Sequence, residues 1–169
     1  MTLLCVGLIL YGDSPHALEV LSALKAQDLD EGTNLSVVIV DNGVPQTLKA
    51  EIFENFGGSI LVLRNRENLG FCAAANQCLA EALRYEANYL LLLNPDLLLE
   101  TLAVRELLRC AKKNPKATII TPKLFRANAD LSPSSPPVLD ACGMYMTNDL
   151  RHLDRGSNQL DVKQYEKEE

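Results

Sequence analysis

The chain has 169 residues, of which 47% are hydrophobic and 22% are charged. These values are typical of one soluble globular domain with a substantial core, and the length is short for a two-domain enzyme. The formal net charge of -6 argues against a nucleic-acid polymer as the partner, because phosphate chains are held by clustered Lys and Arg; a small anion bridged to carboxylates by a divalent cation is still compatible.

Apolar runs, cysteines and histidines exclude several further classes. No apolar run approaches the roughly 20 residues that cross a bilayer, and the N-terminal MTLLCVGLILYG is typical of a first strand rather than a signal peptide. The five cysteines show no C-x-x-C spacing and only two histidines are present, which argues against a zinc site or a disulfide framework. We expect a cytoplasmic protein whose cysteines are free thiols that pack as small buried hydrophobes.

The first predicted elements are a strand, a turn and a helix. Residues 3–11 are rich in branched apolar side chains and predict the strand. In the turn that follows, Ser14 can cap a helix that has Pro15 in its first position. The helix face is marked by leucines at helical spacing, namely Leu18, Leu21 and Leu24.

Two strands flank a second predicted helix. Residues 36–40 form an apolar strand that stops at residues 41–43, Asp-Asn-Gly, a polar turn whose glycine suits a left-handed backbone. The helix face is formed by Leu48, Ile52 and Phe56. Two glycines at 57–58 end that helix, and residues 60–63 predict the third strand.

A third helix and a fourth strand follow. Residues 68–70, Asn-Leu-Gly, open the helix, and the alanines at 73–75 let a backbone or a ligand approach closely. Residues 89–93 are apolar and are soon followed by a proline, which predicts a strand buried on both faces of a parallel sheet. A helix over residues 102–110 and a fifth strand over residues 117–121 complete the pattern.

The strand and helix pattern weakens after Phe125. Residues 126–137 predict a loop, residues 138–147 predict one more strand, and residues 148–169 are charged without a core-forming pattern. Strands that alternate with helices predict an α/β fold with a mainly parallel, doubly wound sheet. The chain is therefore divided into an α/β core, residues 1–125, and a loop and tail, residues 126–169.

Two carboxylates are the first candidates for chemistry. Asp41 follows the second predicted strand and Asp96 follows the fourth, so both are expected at the sheet edge where α/β proteins bind ligands. An exposed Asp at a strand end is often only a turn residue or a helix cap. The two positions together, with Asn68 and Gly70 between them, favour a functional site.

Three stretches carry a family resemblance. VVIVDNG, ENLGFCAAANQCL and YLLLLNPDLLLE resemble, in order and spacing, the nucleotide-binding half of family 2 glycosyltransferases, especially the rhamnosyltransferase-like branch. The opening VGLILYGDSPHALEVLSAL and the later DACGMYMTNDLRHLDRGSNQLDVKQY are also similar, although Gly12 stands where that family commonly has Asn. The resemblance spans nearly the whole chain. It implies a GT-A fold and a nucleotide-diphosphate sugar as the ligand.

The resemblance also implies six nucleotide-binding residues, Tyr11, Gly12, Asp41, Asn68, Gly70 and Asn76. Asp41 would accept a hydrogen bond from the nucleobase, and the turn at Tyr11 and Gly12 would approach the nucleoside. Asn68 and Gly70 would lie beside the nucleotide, and Asn76 would support their loop.

A metal site is implied after the fourth strand. Asn94-Pro95-Asp96 stands at the position of the family's D-x-D motif, so Asp96 and Asn94 are the expected ligands of Mg²⁺ or Mn²⁺ on the diphosphate. A metal held by a carboxylate offsets the negative charge that gathers on a leaving diphosphate, which is a physical reason for Asp96. Asn94 can bind only through its carbonyl oxygen. Arg64 and Arg66 flank the end of the third predicted strand and are interpreted as solvated side chains rather than as phosphate ligands.

The resembled family transfers a sugar to an acceptor hydroxyl, here a saccharide or a lipid-linked saccharide of cell-wall or surface polysaccharide biosynthesis. Its general base, an acidic residue, belongs to a later segment than this chain contains, so the catalytic residue is unknown. The preferred interpretation is a glycosyltransferase cut short at its C-terminus. Peripheral membrane association and the oligomeric state stay open.

Two alternatives belong to other classes. One is a non-catalytic nucleotide-sugar-binding or scaffolding module. The other is a different nucleotide-binding α/β enzyme, such as a dehydrogenase or a sugar nucleotidyltransferase. It ranks lower because the first turn lacks G-x-G-x-x-G and lacks a glycine-rich basic loop.

Overall fold

The computed structural model describes residues 1–12, 14–43 and 59–166. Its contacts divide the chain into two compact units, Met1–Leu102 and Ala103–Glu169. The sequence predicts a boundary after Phe125, where the alternation of strands and helices ends. That boundary stays a prediction. The second predicted helix, with Leu48, Ile52 and Phe56, lies outside the described residues.

The described part of the first unit contains a parallel four-stranded sheet. Its strands are β1 (Thr2–Leu10), β2 (Thr33–Asn42), β3 (Ser59–Asn65) and β4 (Tyr89–Leu93), in the order β3-β2-β1-β4. The chain moves outward from β1 to β3 and then returns to place β4 on the other side of β1. The strand order therefore reverses between β1 and β4, which is where such sheets open a crevice at their carboxyl ends. The predicted mainly parallel, doubly wound α/β fold is confirmed.

Two helices of this unit pack through small or branched apolar side chains. Helix α1 (Ala17–Lys25) buries Ala17, Val20, Leu21 and Leu24, and helix α2 (Phe71–Arg84) buries Ala74, Cys78 and Ala82. A Cβ added at Gly7 of β1 would lie 2.7 Å from Cys78, so α2 rests directly on the sheet. Burial raises the pKa of the Cys78 thiol to about 11, as expected for a thiol that packs as a small hydrophobe.

The five cysteines are free, as the sequence predicts, but they are not equally buried. Cys5 and Cys78 are buried, Cys110 and Cys142 are half-buried, and Cys72 is exposed at the start of α2. The expectation that all five are buried hydrophobes is wrong for Cys72.

The strand predictions for residues 89–93 and 117–121 need correction. In β4, Leu93 is buried but Leu92 is 41% exposed, because β4 is an edge strand of the described sheet and not a strand covered on both faces. Residues 117–121 form no strand, and Ile119 is 83% exposed. This short apolar run lies between Pro115 and Pro122, each of which lacks a backbone donor for a ladder.

Up to Glu166, where the described part ends, the second unit contains one helix and two small antiparallel sheets. These elements are α3 (Ala103–Lys113), β5 (Lys123–Phe125) paired with β6 (Leu139–Cys142), and β7 (Met144–Met146) paired with β8 (His152–Asp154). The single strand predicted over residues 138–147 is divided at Gly143, whose φ of 82° lies in the left-handed region. No helix among the described residues is both long and apolar enough to cross a membrane.

Candidate functional site

A cavity of about 480 Å³ opens at the carboxyl end of the parallel sheet. Three strand ends and the loop before α2 contribute its lining, which consists of Ile9, Tyr11, Ser14, Pro15, His16, Asn42, Asn68, Gly70, Phe71, Asn94, Pro95 and Asp96. This cavity lies at the reversal of strand order between β1 and β4, where the topology alone places a ligand. Its size is within the usual range for a small-molecule site.

The turn after β1 supplies one side of the pocket. Tyr11 is exposed there, and Gly12 has a φ of 61°, a left-handed conformation that favours glycine. The Ser14 hydroxyl donates to the Tyr11 carbonyl at 2.9 Å and accepts from the Tyr11 N–H at 3.2 Å. Ser14 is therefore not the predicted helix cap: α1 begins after His16, which makes no side-chain capping bond, and Ser14 instead closes the turn.

The side-chain amide of Asn42 holds the pocket wall at the end of β2. Asn42 is 2% exposed. Its Nδ2 donates to Asn68 Oδ1 at 2.8 Å and to the Gly70 carbonyl at 3.4 Å, and its Oδ1 accepts from the Leu69 N–H at 3.1 Å. Asn68 Oδ1 also accepts from the Gly70 N–H at 2.8 Å. The segment before α2 is thus tied to strand β2.

A second layer of amides supports Asn42. Asn65 pairs with Asn42 in the register of β2 and β3, and its Nδ2 donates to Asn42 Oδ1 at 3.0 Å and to Gln77 Oε1 at 2.9 Å. Gln77 Nε2 returns a hydrogen bond to Asn65 Oδ1 at 2.9 Å. The predicted supporting residue, Asn76, is exposed and lies outside the pocket lining. Its neighbour Gln77 makes the supporting contact.

Asp41 lies inside β2 rather than past its end, because the strand continues to Asn42. It is 6% exposed, pairs in register with Leu10 and Arg64, and its Oδ2 lies 4.0 Å from Arg64 Nε. Arg64, which the sequence predicts to be a solvated side chain, therefore also forms an ion pair with a buried carboxylate. Asp41 is not in the pocket lining, although the next residue of the strand is.

The carboxyl end of β4 supplies the opposite side of the pocket. Asn94, Pro95 and Asp96 all belong to the lining, and Asn94 and Asp96 are exposed. The amide and the carboxylate thus face the same cavity as Tyr11 and Asn68. An exposed carboxylate is accessible to a hydrated cation.

The pocket brings together part of the predicted site and adds residues to it. Predicted residues in the lining are Tyr11, Asn68, Gly70, Asn94 and Asp96, whereas Gly12, Asp41 and Asn76 are outside it. The sequence alone does not single out Asn42, His16 or Phe71 as site residues. Asn42 resembles an ordinary turn residue between Asp41 and Gly43, and only its partners far along the chain reveal its position.

The donor set at the end of β4 fits one mode of metal binding. Within residues 1–12, 14–43 and 59–166, no group of three or more His, Cys, Asp and Glu side chains could hold a metal ion. Mg²⁺, however, usually keeps several waters and binds one or two carboxylates together with substrate phosphates. Asp96, with the carbonyl oxygen of Asn94, fits a cation that binds together with a diphosphate.

Three of the solved structures with a similar fold are of S. aureus TarS. S. aureus TarS aligns with 75% of this chain at a TM-score of 0.54 and 16% identity, and TarS 1-349 aligns with the same share at 0.56 and 18%. TarS 1-349 in complex with UDP gives a TM-score of 0.56 and 17% identity over 75% of this chain. At these identities the similarity shows the fold, which is of the GT-A type.

This chain spans 24% of the TarS chain and 40% of each TarS 1-349 chain. A search of curated protein sequences gives no significant match. The sequence profile of glycosyl transferase family 2 matches residues 5–150, which include most of β1, all of β2, β3 and β4, and the whole pocket lining. The chain therefore belongs to glycosyl transferase family 2.

Proposed function

We propose that this chain binds a nucleotide-diphosphate sugar and forms the donor-binding part of a glycosyltransferase that transfers the sugar to an acceptor hydroxyl. One observation carries the proposal: residues from the ends of β1, β2 and β4 line a single cavity of about 480 Å³ at the reversal of strand order. The position and the size of this cavity support a nucleotide ligand.

The nucleoside is proposed to lie on the side of Tyr11 and Asn68. The exposed ring of Tyr11 offers an apolar face to a base or a ribose, and the buried carboxylate of Asp41 next to the lining is proposed to accept from the base. The proposed diphosphate lies closer to the start of α2, since the first N–H groups of a helix lack acceptors within the helix and attract anions.

Asp96 and Asn94 are proposed to hold Mg²⁺ or Mn²⁺ on the diphosphate. When bound, the cation supplies positive charge that offsets the charge of the leaving nucleotide diphosphate. The carboxylate of Asp96 orients that cation, and Asn94 adds a neutral oxygen ligand. No residue is proposed as the general base.

The finer assignments rest on the family resemblance. They are a rhamnosyltransferase-like enzyme, of which this chain is the N-terminal portion, a saccharide or lipid-linked saccharide acceptor, a role in cell-wall or surface polysaccharide biosynthesis, and a cytoplasmic location. UDP is the first nucleotide to test, because TarS has been crystallised with it.

Isothermal titration calorimetry of this chain with UDP, GDP and dTDP, each with and without Mn²⁺, tests donor binding. We expect saturable binding of one nucleotide that strengthens with Mn²⁺. ATP serves as a control for nonspecific phosphate binding. Equal, weak heats for all of these nucleotides would contradict the proposal.

Turnover distinguishes transfer from binding alone. Incubation with the corresponding nucleotide sugar and an acceptor extract should release free nucleotide if the chain is a competent transferase. Saturable binding without release would favour a non-catalytic nucleotide-sugar-binding or scaffolding module.

A further inference from the structure

Asn42 belongs to the pocket lining, but its side-chain amide makes its hydrogen bonds to other groups of the protein. A carboxamide offers two N–H donors and an oxygen with two lone pairs. In Asn42 the nitrogen donates to Asn68 and Gly70, and the oxygen accepts from Leu69 and Asn65. With 2% exposure and these partners, Asn42 has little left to offer a ligand.

We propose that Asn42 is a positioning residue that fixes residues 67–70 in the conformation that receives the nucleotide. It acts through Asn68 and Gly70, which belong to the pocket lining, rather than through a contact of its own with the ligand. This inference rests on the proposed function and names the residue on which the shape of that site depends.

The opposite side of the same segment is fixed by backbone contact. Gly43 has a φ of 88°, and a Cβ added there would lie 3.1 Å from the Asn68 nitrogen and 3.3 Å from the Glu67 carbonyl carbon. The backbone at the end of β2 therefore lies directly against residues 67–68. Asn42 holds this segment by hydrogen bonds, and Gly43 admits it by having no side chain.

The conformation of residues 68–70 depends on these contacts. Gly70 has a φ of 83° and precedes α2 without a side-chain cap, and the Asn68 side chain accepts from its N–H at 2.8 Å. Removal of the Asn42 amide leaves Asn68 Oδ1 with one donor fewer and leaves the Leu69 N–H without its acceptor. Because a buried polar group without a hydrogen-bond partner is costly, the segment is expected to rearrange so that these groups reach water.

The test compares Asn42→Ala with Val38→Ala, which truncates a buried core residue of the same strand away from the pocket. Thermal unfolding should show that both variants fold and that both have a lowered Tm. We expect Asn42→Ala to weaken UDP binding about tenfold, with Val38→Ala within about twofold of the wild type. We also expect faster hydrogen exchange of the Leu69 amide in Asn42→Ala alone.

Three results would decide against the inference or redirect it. Wild-type UDP affinity in folded Asn42→Ala overturns it, and equal weakening by Val38→Ala assigns the effect to stability instead. If the wild-type chain binds no nucleotide, the proposed function fails, and exchange at Leu69 alone decides whether Asn42 fixes the segment. If Asn42→Ala does not fold, Asn42→Ser keeps a neutral polar group but is too short to reach both Asn68 and Leu69, and it should weaken UDP binding in the same way.

Discussion

The pocket has two unlike sides, one at the end of β2 and one at the end of β4. At β2, Asn42 is buried and is hydrogen-bonded to the segment before α2 and to Asn65. At β4, Asn94 and Asp96 belong to the same lining but are exposed. One side is built by contacts among protein groups, and the other presents a carboxylate to solvent.

This difference matches the chemistry proposed for each side. A nucleoside is recognised by shape and by a few fixed hydrogen bonds, so a buried amide network that holds a rigid wall favours its binding. The cation proposed for the β4 side brings charge and waters with it, and an exposed carboxylate can meet it without a large desolvation penalty. Substitutions on the two sides should therefore have different signatures in stability and in metal dependence.

The largest expected effect is on the β4 side. In Asp96→Ala, we expect the UDP affinity measured with Mn²⁺ to fall about 100-fold, to the metal-free value, because a bridging cation contributes several kcal/mol. The free energy of unfolding should change by less than about 0.5 kcal/mol, since the residue is exposed. Calorimetry with and without Mn²⁺ and chemical denaturation measure the two quantities.

Asn94→Asp is the matched variant for Asp96→Ala. It adds a second carboxylate next to the first in the same lining and should strengthen the Mn²⁺ dependence of UDP binding. An Asp96→Ala protein whose Mn²⁺ dependence equals that of the wild type would show that the cation binds elsewhere.

A smaller effect is expected where β2 meets residues 67–68. Gly43→Ala should lower the free energy of unfolding by about 1–2 kcal/mol through the left-handed backbone, and should weaken UDP binding about tenfold because the new Cβ presses on Asn68. Gly32→Ala is a close control, since Gly32 has a φ of 78° but nothing within 4 Å of an added Cβ. Equal UDP affinities of the two variants would argue against a role of residues 67–68.

How far the sequence predicts this molecule differs between the sheet and the pocket. Strands β1 and β2 were predictable because their apolar runs are buried along most of their length. The run in β4 looks the same in sequence although it lies at a sheet edge, so composition alone does not distinguish the two positions. The hydrophobic pattern predicts which of these segments form strands of the sheet, but it does not predict whether a strand lies at the centre or at the edge of the sheet.

The pocket was predictable where a residue follows a strand end, as Asp96 does, because topology brings such residues together. It was not predictable where a residue acts through distant partners. Asn42 contacts Asn68, which is 26 positions away, and no local pattern reports that contact. The family resemblance selected Asp41 and Asn68, and the structure adds the amide that joins their segments.

The smallest effect is expected one layer behind the pocket, at Asn65. In Asn65→Ala, Asn42 loses one donor to its oxygen but retains its hydrogen bonds to Leu69 and Asn68, so the wall should be weakened without being released. We expect a loss of about 1 kcal/mol in the free energy of unfolding and about threefold weaker UDP binding.

Asn88→Ala provides the control for Asn65→Ala, since it removes an exposed side chain that accepts from the Leu3 N–H at 2.8 Å, at the start of β1 and remote from the pocket. It should leave UDP affinity unchanged in calorimetry. If Asn65→Ala weakens UDP binding more than Asn42→Ala does, the layer of Asn65 and Gln77, and not Asn42, determines the position of the pocket wall. If Asn65→Ala has no effect on UDP binding, the wall depends on Asn42 and Gly43 alone.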